Sequence, residues 1–442
     1  MTSLADCGTA SGAPGEDGAV RCVLVQAEIT SDHEGGEDLA ELRLLAESAD
    51  LEVAEVLLCR RGEPQPRFFI GSGKVEELKA LVQACAAELV IFNNPLSPAQ
   101  ERNLSAETGC RVIDRTALIL NIFAQRARTY EGRLQVELAQ LKYSATRLVR
   151  GWTHLERQKG GFGLRGGPGE KQLELDRREL GDRITAVTRE LEKVRIRRES
   201  GRKSRLKRQV PVLSLAGYTN AGKSTLFNRL TSSAVYAADQ LFATLDPTFR
   251  HLDLPSGARV IFADTVGFIR HLPHDLVAAF RATLQETRDA TLLLHVIDAS
   301  DERMEDNAAQ VDQVLEEIGA GEVPRLLVYN KIDLVPGIRP HAERIDGRPR
   351  AVWVSAATGE GLDLLLEIIS ELIRKNIVEL RLRLPPAAGR IRSELHRGHF
   401  VATESFDQES GDCLMQVRLP EADLGRIGKL CGCSLNDFTF ED

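Results

Sequence analysis

The chain contains 442 residues, 43% of them hydrophobic and 28% charged, and its formal net charge at pH 7 is −8. That length exceeds one ordinary hydrophobic core and predicts about three domains. No apolar run approaches the ~18 residues that a membrane-spanning helix needs. Residues 1–17 have the small, acidic composition of a disordered tail and not that of a secretory signal. We therefore expect a cytoplasmic protein without a membrane span, whose eight scattered cysteines are free thiols.

Positive charge is concentrated in one segment of this acidic chain. Residues 141–210 contain 20 Lys or Arg against nine Asp or Glu, a net charge of +11, so the remainder carries −19. Blocks of like charge usually mark an interaction surface, and a basic block favours a polyanion such as RNA. A solvated helical face is the alternative, although such a face usually mixes both signs.

The N-terminal part, residues 20–115, alternates short apolar runs with segments of helical spacing. The first strand candidate is residues 20–25, the last is residues 111–113, and one of the helices is expected over residues 75–87. Such alternation predicts a small parallel α/β domain. Within it, the stretch Gly-Ser-Gly-Lys at residues 71–74 is either a second phosphate site or a tight turn into a helix.

Two long helices joined by a glycine-rich tip are predicted over residues 116–208. Six of the ten residues at 160–169 are glycine, a density that no helix tolerates, so we expect an antiparallel hairpin. The heptad positions that form its seam are Leu134, Leu138, Leu141, Ala145, Leu148, Trp152 and Leu155 on the first helix, and Leu173, Leu180, Ile184, Val187, Leu191 and Val194 on the second. The basic residues at or beside the tip, predicted to bind RNA phosphates, are Arg157, Lys159, Arg165, Lys171, Arg177 and Arg178. A flexible connector is the alternative, but a connector has no need of six basic residues.

Residues 217–224, Gly-Tyr-Thr-Asn-Ala-Gly-Lys-Ser, match the pattern of a phosphate-binding loop. A strand-like run precedes the loop and a helical run follows it, which is the context that the loop needs. Its backbone N–H groups and the helix N-terminus would bind phosphate oxygens. Lys223 would reach the β- and γ-phosphates, and the Ser224 hydroxyl would bind Mg²⁺. The alternative is a glycine-rich turn with a chance lysine, which the motifs that follow argue against.

Further motifs follow in the order typical of a GTPase domain. Thr244 lies in a loop after the first helix, and Asp264 and Gly267 follow a strand, where they can contact Mg²⁺ through water and the γ-phosphate. Asp333 can accept two hydrogen bonds from guanine that adenine does not offer, which selects GTP over ATP. We assign the metal to Ser224 and Thr244 and catalysis to Lys223, Thr244 and Gly267. The predicted GTP-binding residues are Gly217, Tyr218, Thr219, Asn220, Ala221, Gly222, Lys223, Ser224, Thr225, Phe242, Ala243, Thr244, Leu245, Asp246, Asp264, Thr265, Val266, Gly267, Asn330, Lys331, Ile332, Asp333, Ser355, Ala356 and Ala357.

The fold class is therefore a multidomain α/β protein with a doubly wound GTPase domain and a small α+β domain at the C-terminal end. His396 and His399 have no third ligand nearby, so we expect a surface pair there and not a metal site. The predicted domain limits are 1–19 for the tail, 20–115 for the α/β domain, 116–208 for the hairpin, 209–375 for the GTPase domain and 376–442 for the last domain.

These motifs together resemble the bacterial HflX family of ribosome-associated GTPases. The more distinctive matches are Phe-Ala-Gln-Arg-Ala-Arg at 123–128, Gly-Trp-Thr-His-Leu-Glu-Arg at 151–157 and the loop at 160–178. The resemblance implies a monomer whose α/β domain and hairpin bind the large ribosomal subunit, its 23S rRNA and its proteins. It also implies that the tip reaches toward the peptidyl-transferase centre, and that GTP with Mg²⁺ serves to split or rescue stalled ribosomes under heat stress. One departure is that residues 166–169, Gly-Gly-Pro-Gly, carry one glycine more than the family's pattern.

Two residues bear on the rate of hydrolysis. Many GTPases position the attacking water with a glutamine just after the Asp-x-x-Gly motif, but Phe268 occupies that place, so slow intrinsic hydrolysis and ribosomal stimulation are expected. Asn220 resembles the asparagine of potassium-stimulated GTPases, which gives the hypothesis that K⁺ raises turnover. Two alternatives to ribosome splitting stay open: a factor for large-subunit assembly that uses GTP as a release timer, and ATP-dependent RNA remodelling through residues 71–74.

Overall fold

The computed structural model describes residues 19–29, 39–148, 168–207, 210–231, 241–242, 244–269, 287–375, 377–398, 400–407, 410–431 and 434–440. The chain forms two compact units, residues 1–125 with 143–179 and residues 126–142 with 180–442. Within the described ranges, no helix is both long and apolar enough to cross a membrane. The five domain limits expected from the sequence stay a prediction.

The first unit is built on a parallel four-stranded sheet of order β2-β1-β3-β4. Its strands are β1 (Val20–Ile29), β2 (Leu51–Arg61), β3 (Leu89–Phe92) and β4 (Arg111–Asp114). Its helices are α1 (Leu39–Ser48), α2 (Ser72–Cys85), α3 (Pro98–Thr108) and α4 (Arg115–Arg126). Apolar side chains such as Val25, Leu78 and Phe92 are fully buried between these layers. The predicted parallel α/β fold is confirmed.

Local signals explain where these elements begin. Helix α3 starts with a capping box, in which the Ser97 hydroxyl accepts the backbone N–H of Gln100 and the Gln100 side chain accepts that of Ser97. At the carboxyl end of β4, Asp114 is buried and accepts hydrogen bonds from Tyr143 and Arg147, which lie on the next long helix. Because a buried carboxylate needs such partners, these contacts hold residues 143–148 of that helix against the sheet within the first unit.

The predicted helical pair is present as α5 (Tyr130–Leu148) and α6 (Pro168–Lys207). In the second unit they pack through the predicted seam, where Leu134, Leu138 and Val187 are buried with Leu141, Ile184, Leu191 and Val194 against them. At 40 residues, α6 is about 60 Å long. Residues 160–167 of the glycine-rich tip and the seam positions Trp152 and Leu155 lie outside the described residues.

The GTPase domain holds a seven-stranded sheet of order β10-β11-β9-β8-β5-β7-β6. Its strands are β5 (Val212–Gly217), β6 (Thr248–Asp253), β7 (Arg259–Asp264), β8 (Leu292–Asp298), β9 (Arg325–Asn330), β10 (His341–Ile345) and β11 (Arg348–Trp353). Its described helices are α7 (Lys223–Thr231), α8 (Met304–Glu317) and α9 (Leu362–Lys375). The inner strands are parallel and their apolar runs are buried, as expected of a sheet covered on both faces.

Two features of the C-terminal half differ from the sequence expectation. The edge strand β10 pairs antiparallel with β11 and was not predicted, because its residues are mostly polar and exposed. The last domain is an antiparallel sheet, β12-β14-β13, made of β12 (Ile377–Leu384), β13 (Val401–Phe406) and β14 (Cys413–Pro420) with helices α10 (Gly389–Arg397) and α11 (Glu421–Cys431). The sequence of residues 398–402, Gly-His-Phe-Val-Ala, is typical of a strand, but β13 begins only at Val401, since Gly398 still ends α10 through hydrogen bonds to its last turn. His399, one of the two histidines expected as a surface pair, lies outside the described residues, and the exposed His396 contacts Glu404.

Candidate GTP site

The phosphate-binding loop runs from the end of β5 to the start of α7 and depends on close backbone approaches. Gly217 has φ +148°, and a Cβ there would overlap the carbonyl oxygen of Val296 on β8. Gly222 has φ +87°, and a Cβ there would overlap the side-chain amide of Asn330. A side chain is therefore excluded at both positions, which holds the loop open for phosphate oxygens.

Lys223 lies buried inside this loop. Its ammonium group donates to the carbonyl oxygens of Gly217 at 3.0 Å and Tyr218 at 2.6 Å. Burial lowers the pKa of Lys223 to about 8, and the nearby charge of Asp264 opposes that shift. A cation held in a desolvated loop interacts strongly with a phosphate anion because little water screens it.

Three oxygen-bearing side chains from different elements meet beside the loop. The Ser224 hydroxyl lies 2.8 Å from the Thr244 hydroxyl and donates to Asp264 Oδ2 at 2.8 Å, and Thr244 donates to the same oxygen at 2.9 Å. Burial raises the pKa of Asp264, while these hydrogen bonds and Lys223 oppose the shift. Among the described residues, the buried Asp264 Oδ1 has no hydrogen-bond partner. Hydroxyls and a carboxylate with a spare oxygen are the donors that Mg²⁺ prefers, so this set fits that ion.

Backbone hydrogen bonds join the segment after Asp264 to the phosphate-binding loop. Phe268 donates its N–H to the Gly217 carbonyl at 3.1 Å and accepts the Thr219 N–H at 2.7 Å. A Cβ at Gly267 would lie 2.9 Å from both Lys223 Nζ and Thr219 Cα, so only glycine fits between them. This places Gly267 next to the lysine and leaves the Phe268 side chain buried.

The residues predicted to recognise guanine converge at the carboxyl ends of β9 and β11. Asn330 joins two loops, because its amide donates to the Ala221 carbonyl at 2.9 Å and its oxygen accepts the Ala356 N–H at 2.9 Å. The Ser355 hydroxyl donates to an Asp333 carboxylate oxygen, which orients that carboxylate beside the predicted base site. Lys331 takes a left-handed conformation and pairs with Asp298 at 2.7 Å.

One contributor was missed by the sequence reasoning. Arg229 on α7 donates to the Thr358 carbonyl at 3.0 Å, in the loop that carries Ser355 and Ala356. A Cβ at Gly359, which has φ +93°, would approach the same guanidinium to 3.1 Å. Arg229 thus stabilises the loop that carries Ser355 and Ala356. No local sequence motif indicates that contact.

Further predicted residues either lie outside the described ranges or belong to other elements. Ala243 and the tip residues Arg157, Lys159 and Arg165 lie outside the described residues. Lys171, Arg177 and Arg178 are on α6, where Arg177 and Arg178 are exposed. The Asp246 carboxylate contacts the start of α5. In the first unit, residues 71–74 form the start of α2, where Lys74 pairs with Glu77 at 2.8 Å.

Comparison with known proteins agrees with this geometry. The chain is 55% identical to the GTPase HflX of Escherichia coli strain K12 over 93% of its own length and 96% of that protein. This chain belongs to the HflX family. A second HflX GTPase, from Magnetococcus marinus, is 46% identical over 88% of this chain and 89% of its own length.

Family models cover this chain in four consecutive parts. They are described as GTP-binding GTPase N-terminal (residues 36–124), GTP-binding GTPase Middle Region (126–205), 50S ribosome-binding GTPase (212–331) and HflX C-terminal domain (341–436). A solved structure of SsGBP with GDP matches 80% of this chain and 99% of its own at 25% identity, with a TM-score of 0.48. The HflX relatives and the match to the 50S ribosome-binding GTPase model show that this protein is a GTP-hydrolysing enzyme with a GTPase domain of the ribosome-binding type.

Proposed function

We propose that this GTPase binds the large ribosomal subunit and uses GTP to dissociate or rescue stalled ribosomes, under heat or a related stress. The observation that carries the proposal is the combination, in one chain, of a GTP site with a long basic helix on the segment that precedes it. The match to a 50S ribosome-binding GTPase model and the E. coli HflX relative support the partner. We further propose that the protein acts as a cytoplasmic monomer.

The hairpin supplies the ribosome-binding chemistry in this proposal. Helix α6 carries exposed arginines at positions 177 and 178, next to the basic glycine-rich tip. Further along the same helix, Lys193 and Arg195 pair with Glu190 and Glu192, so their charge is already balanced. Arginine near the tip is thus better suited to contact rRNA phosphates, since binding a polyanion depends on cations that displace counterions.

The GTP site supplies the timing. Lys223 binds the phosphates, the Gly267 amide meets the γ-phosphate, and Ser224 and Thr244 with Asp264 would hold Mg²⁺, which neutralises phosphate charge. The Phe268 side chain is buried and has no polar atom to orient a water. GTP hydrolysis by the protein alone is therefore slow. Binding to the large subunit raises the rate of hydrolysis by ordering the segments around Thr244 and Gly267. Asn220, with φ +59° in the loop, supports the further proposal that K⁺ stimulates hydrolysis.

Sucrose-gradient sedimentation of purified 70S ribosomes tests the function. We expect subunits to separate when the protein is added with GTP, and less so with GDP. Arg177→Ala combined with Arg178→Ala should weaken splitting and the stimulated GTPase rate, while the matched pair Lys193→Ala and Arg195→Ala should leave both within about threefold. Intact 70S particles at saturating protein and GTP, or a stimulated rate equal to the free rate, would refute the proposal.

The assembly role is the second candidate, because any factor that binds the large subunit in a GTP-dependent way can also act on its precursors. The two differ in substrate. A strain that lacks the protein would accumulate precursor subunits if assembly is the function, whereas mature subunits and unsplit stalled ribosomes would accumulate if splitting is.

A further inference from the structure

Asp246 connects the GTP site to the helical hairpin. Its Oδ2 accepts the backbone N–H of Arg128 at 2.9 Å and that of Thr129 at 2.8 Å, and its Oδ1 accepts the Thr129 hydroxyl. More than one hundred residues separate these partners in sequence, and all of them belong to the second unit. One carboxylate therefore takes three hydrogen bonds from the two residues that precede α5.

Arg128 and Thr129 lie at the N-terminal end of α5, where backbone N–H groups lack acceptors within the helix. The first N–H groups of a helix have no intrahelical partner, and a negative charge near them is favourable. Thr129 is itself the cap of α5, since its hydroxyl accepts the Gly132 N–H at 2.9 Å and its carbonyl accepts the Arg133 N–H at 3.0 Å. Asp246 thus holds the capping residue in place from outside the helix.

The fit between the two segments is tight. A Cβ at Gly132 would overlap Asp246 Oδ1 and would lie 3.1 Å from the Thr129 hydroxyl oxygen. Glycine in a helix costs about 1 kcal/mol relative to alanine. A glycine in the first turn of α5 therefore serves the close approach of this carboxylate and not the helix itself.

The other end of this connection is the group of oxygen-bearing side chains formed by Ser224, Thr244 and Asp264. Thr244, which contacts Ser224 and Asp264, is two residues before Asp246, and Leu245 between them is buried. Two residues span at most about 7 Å of chain, so the two ends of this short segment cannot move independently. Beyond the cap, Leu134 and Leu138 of α5 pack against Val187 of α6, which carries the connection into the hairpin.

We propose that Asp246 is the positioning residue that transmits the nucleotide state to the hairpin. When GTP and its metal hold Thr244 beside Ser224 and Asp264, Asp246 holds the capping residue Thr129 in place. When hydrolysis releases Thr244, Asp246 lets go of Thr129 and the start of α5 loosens. This inference rests on the proposed function for its biological meaning, because the hairpin is there the ribosome-binding element. The contact itself concerns the free protein and is testable without ribosomes.

Hydrogen–deuterium exchange of the full-length protein tests the coupling. In the wild type we expect the amides of residues 128–132 to exchange about tenfold more slowly with a non-hydrolysable GTP analogue than with GDP, since capped amides are protected. Asp246→Ala should remove that difference, whereas Asp253→Asn should keep it, because Asp253 is an exposed carboxylate of the same domain paired with Arg259. Equal exchange in both nucleotide states of the wild type, or a difference that survives Asp246→Ala, would overturn the proposal.

Changes on the helix side give an independent test that leaves Asp246 in place. Gly132→Ala raises helix propensity yet should abolish the nucleotide-dependent exchange, and Thr129→Val should do the same while Thr129→Ser retains it. Affinity for a fluorescent GDP should stay within threefold in all of these variants, which shows that they fold. Retention of the wild-type difference in Gly132→Ala and Thr129→Val would contradict the mechanism.

Large-subunit binding then separates this inference from the proposed function. The wild type should prefer the GTP-analogue state over the GDP state in binding to purified large subunits, and Asp246→Ala should reduce that ratio to within threefold of one. A ratio unchanged by Asp246→Ala would refute the coupling. If the wild type binds no large subunit in either state, the proposed function fails, and the exchange experiment still decides the coupling.

Discussion

Replacing Gly222 by alanine probes the link between the phosphate-binding loop and the guanine loop. The new Cβ would overlap the Asn330 amide, so Asn330 must give up its hydrogen bonds to Ala221 and Ala356. Two buried hydrogen bonds contribute about 1 kcal/mol each, and the left-handed backbone costs alanine about 1–2 kcal/mol. We therefore expect Gly222→Ala to lower the free energy of unfolding of the GTPase domain by about 3–4 kcal/mol.

Gly257 supplies a matched control. It has φ +79° in the turn between β6 and β7, and a Cβ there would meet nothing within 4 Å. Gly257→Ala should therefore cost only the backbone strain, about 1–2 kcal/mol. The difference of about 2 kcal/mol between the variants isolates the loss of the Asn330 bridge.

Thermal unfolding with and without GDP measures both variants, because the transition that GDP raises is that of the GTPase domain. At about 2–4 °C per kcal/mol for a domain of this size, Gly222→Ala should lower that midpoint by about 10 °C and Gly257→Ala by about 4 °C. Gly222→Ala should also weaken GDP binding, since the bridged loops carry the residues predicted to bind the phosphates and the base. Equal midpoints and equal GDP affinities in the two variants would refute this reasoning.

Three further outcomes are expected. Asp333→Asn should weaken GTP binding by about 100-fold and improve xanthosine triphosphate binding, because the Asp333 carboxylate oriented by Ser355 matches guanine donors; unchanged GTP affinity in a filter-binding assay would contradict this. Thr244→Ala should weaken binding of a GTP analogue with Mg²⁺ while leaving the affinity for GDP within threefold of the wild type. The reason is that only the triphosphate state is expected to draw Thr244 to the metal beside Asp264. An equal loss of affinity for both nucleotides would argue against that role. Burial lowers the pKa of His295 to about 4, so the neutral ring is favoured in the folded state, and the stability it contributes above pH 6.5 is lost as the pH falls from 6.5 toward 4; His295→Leu should flatten that part of the pH–stability curve, and an unaltered curve would count against it.

Local sequence was enough for the elements whose function lies in contiguous residues. The phosphate-binding loop was predictable because its glycines, lysine and serine lie within eight residues between a strand and a helix. The seam of α5 and α6 was predictable because heptad spacing places Leu134 and Leu138 on one face of α5 and Val187 on one face of α6, and those side chains are buried together. The strand β10 escaped prediction, since a polar edge strand has no apolar alternation to reveal it.

Tertiary structure decided the contacts between distant segments. Ser224, Thr244 and Asp264 each carry a motif signal, but only the parallel sheet brings their oxygens to within 3 Å of one another. The pairing of Asp246 with Thr129 across more than one hundred residues has no sequence signal, because a single aspartate and threonine are compatible with many local roles. Spacing along the chain therefore determined which chemistry this protein carries. The tertiary structure determined which segments contact the residues that carry this chemistry, since hydrogen bonds and close packing act only between groups that the fold places in contact.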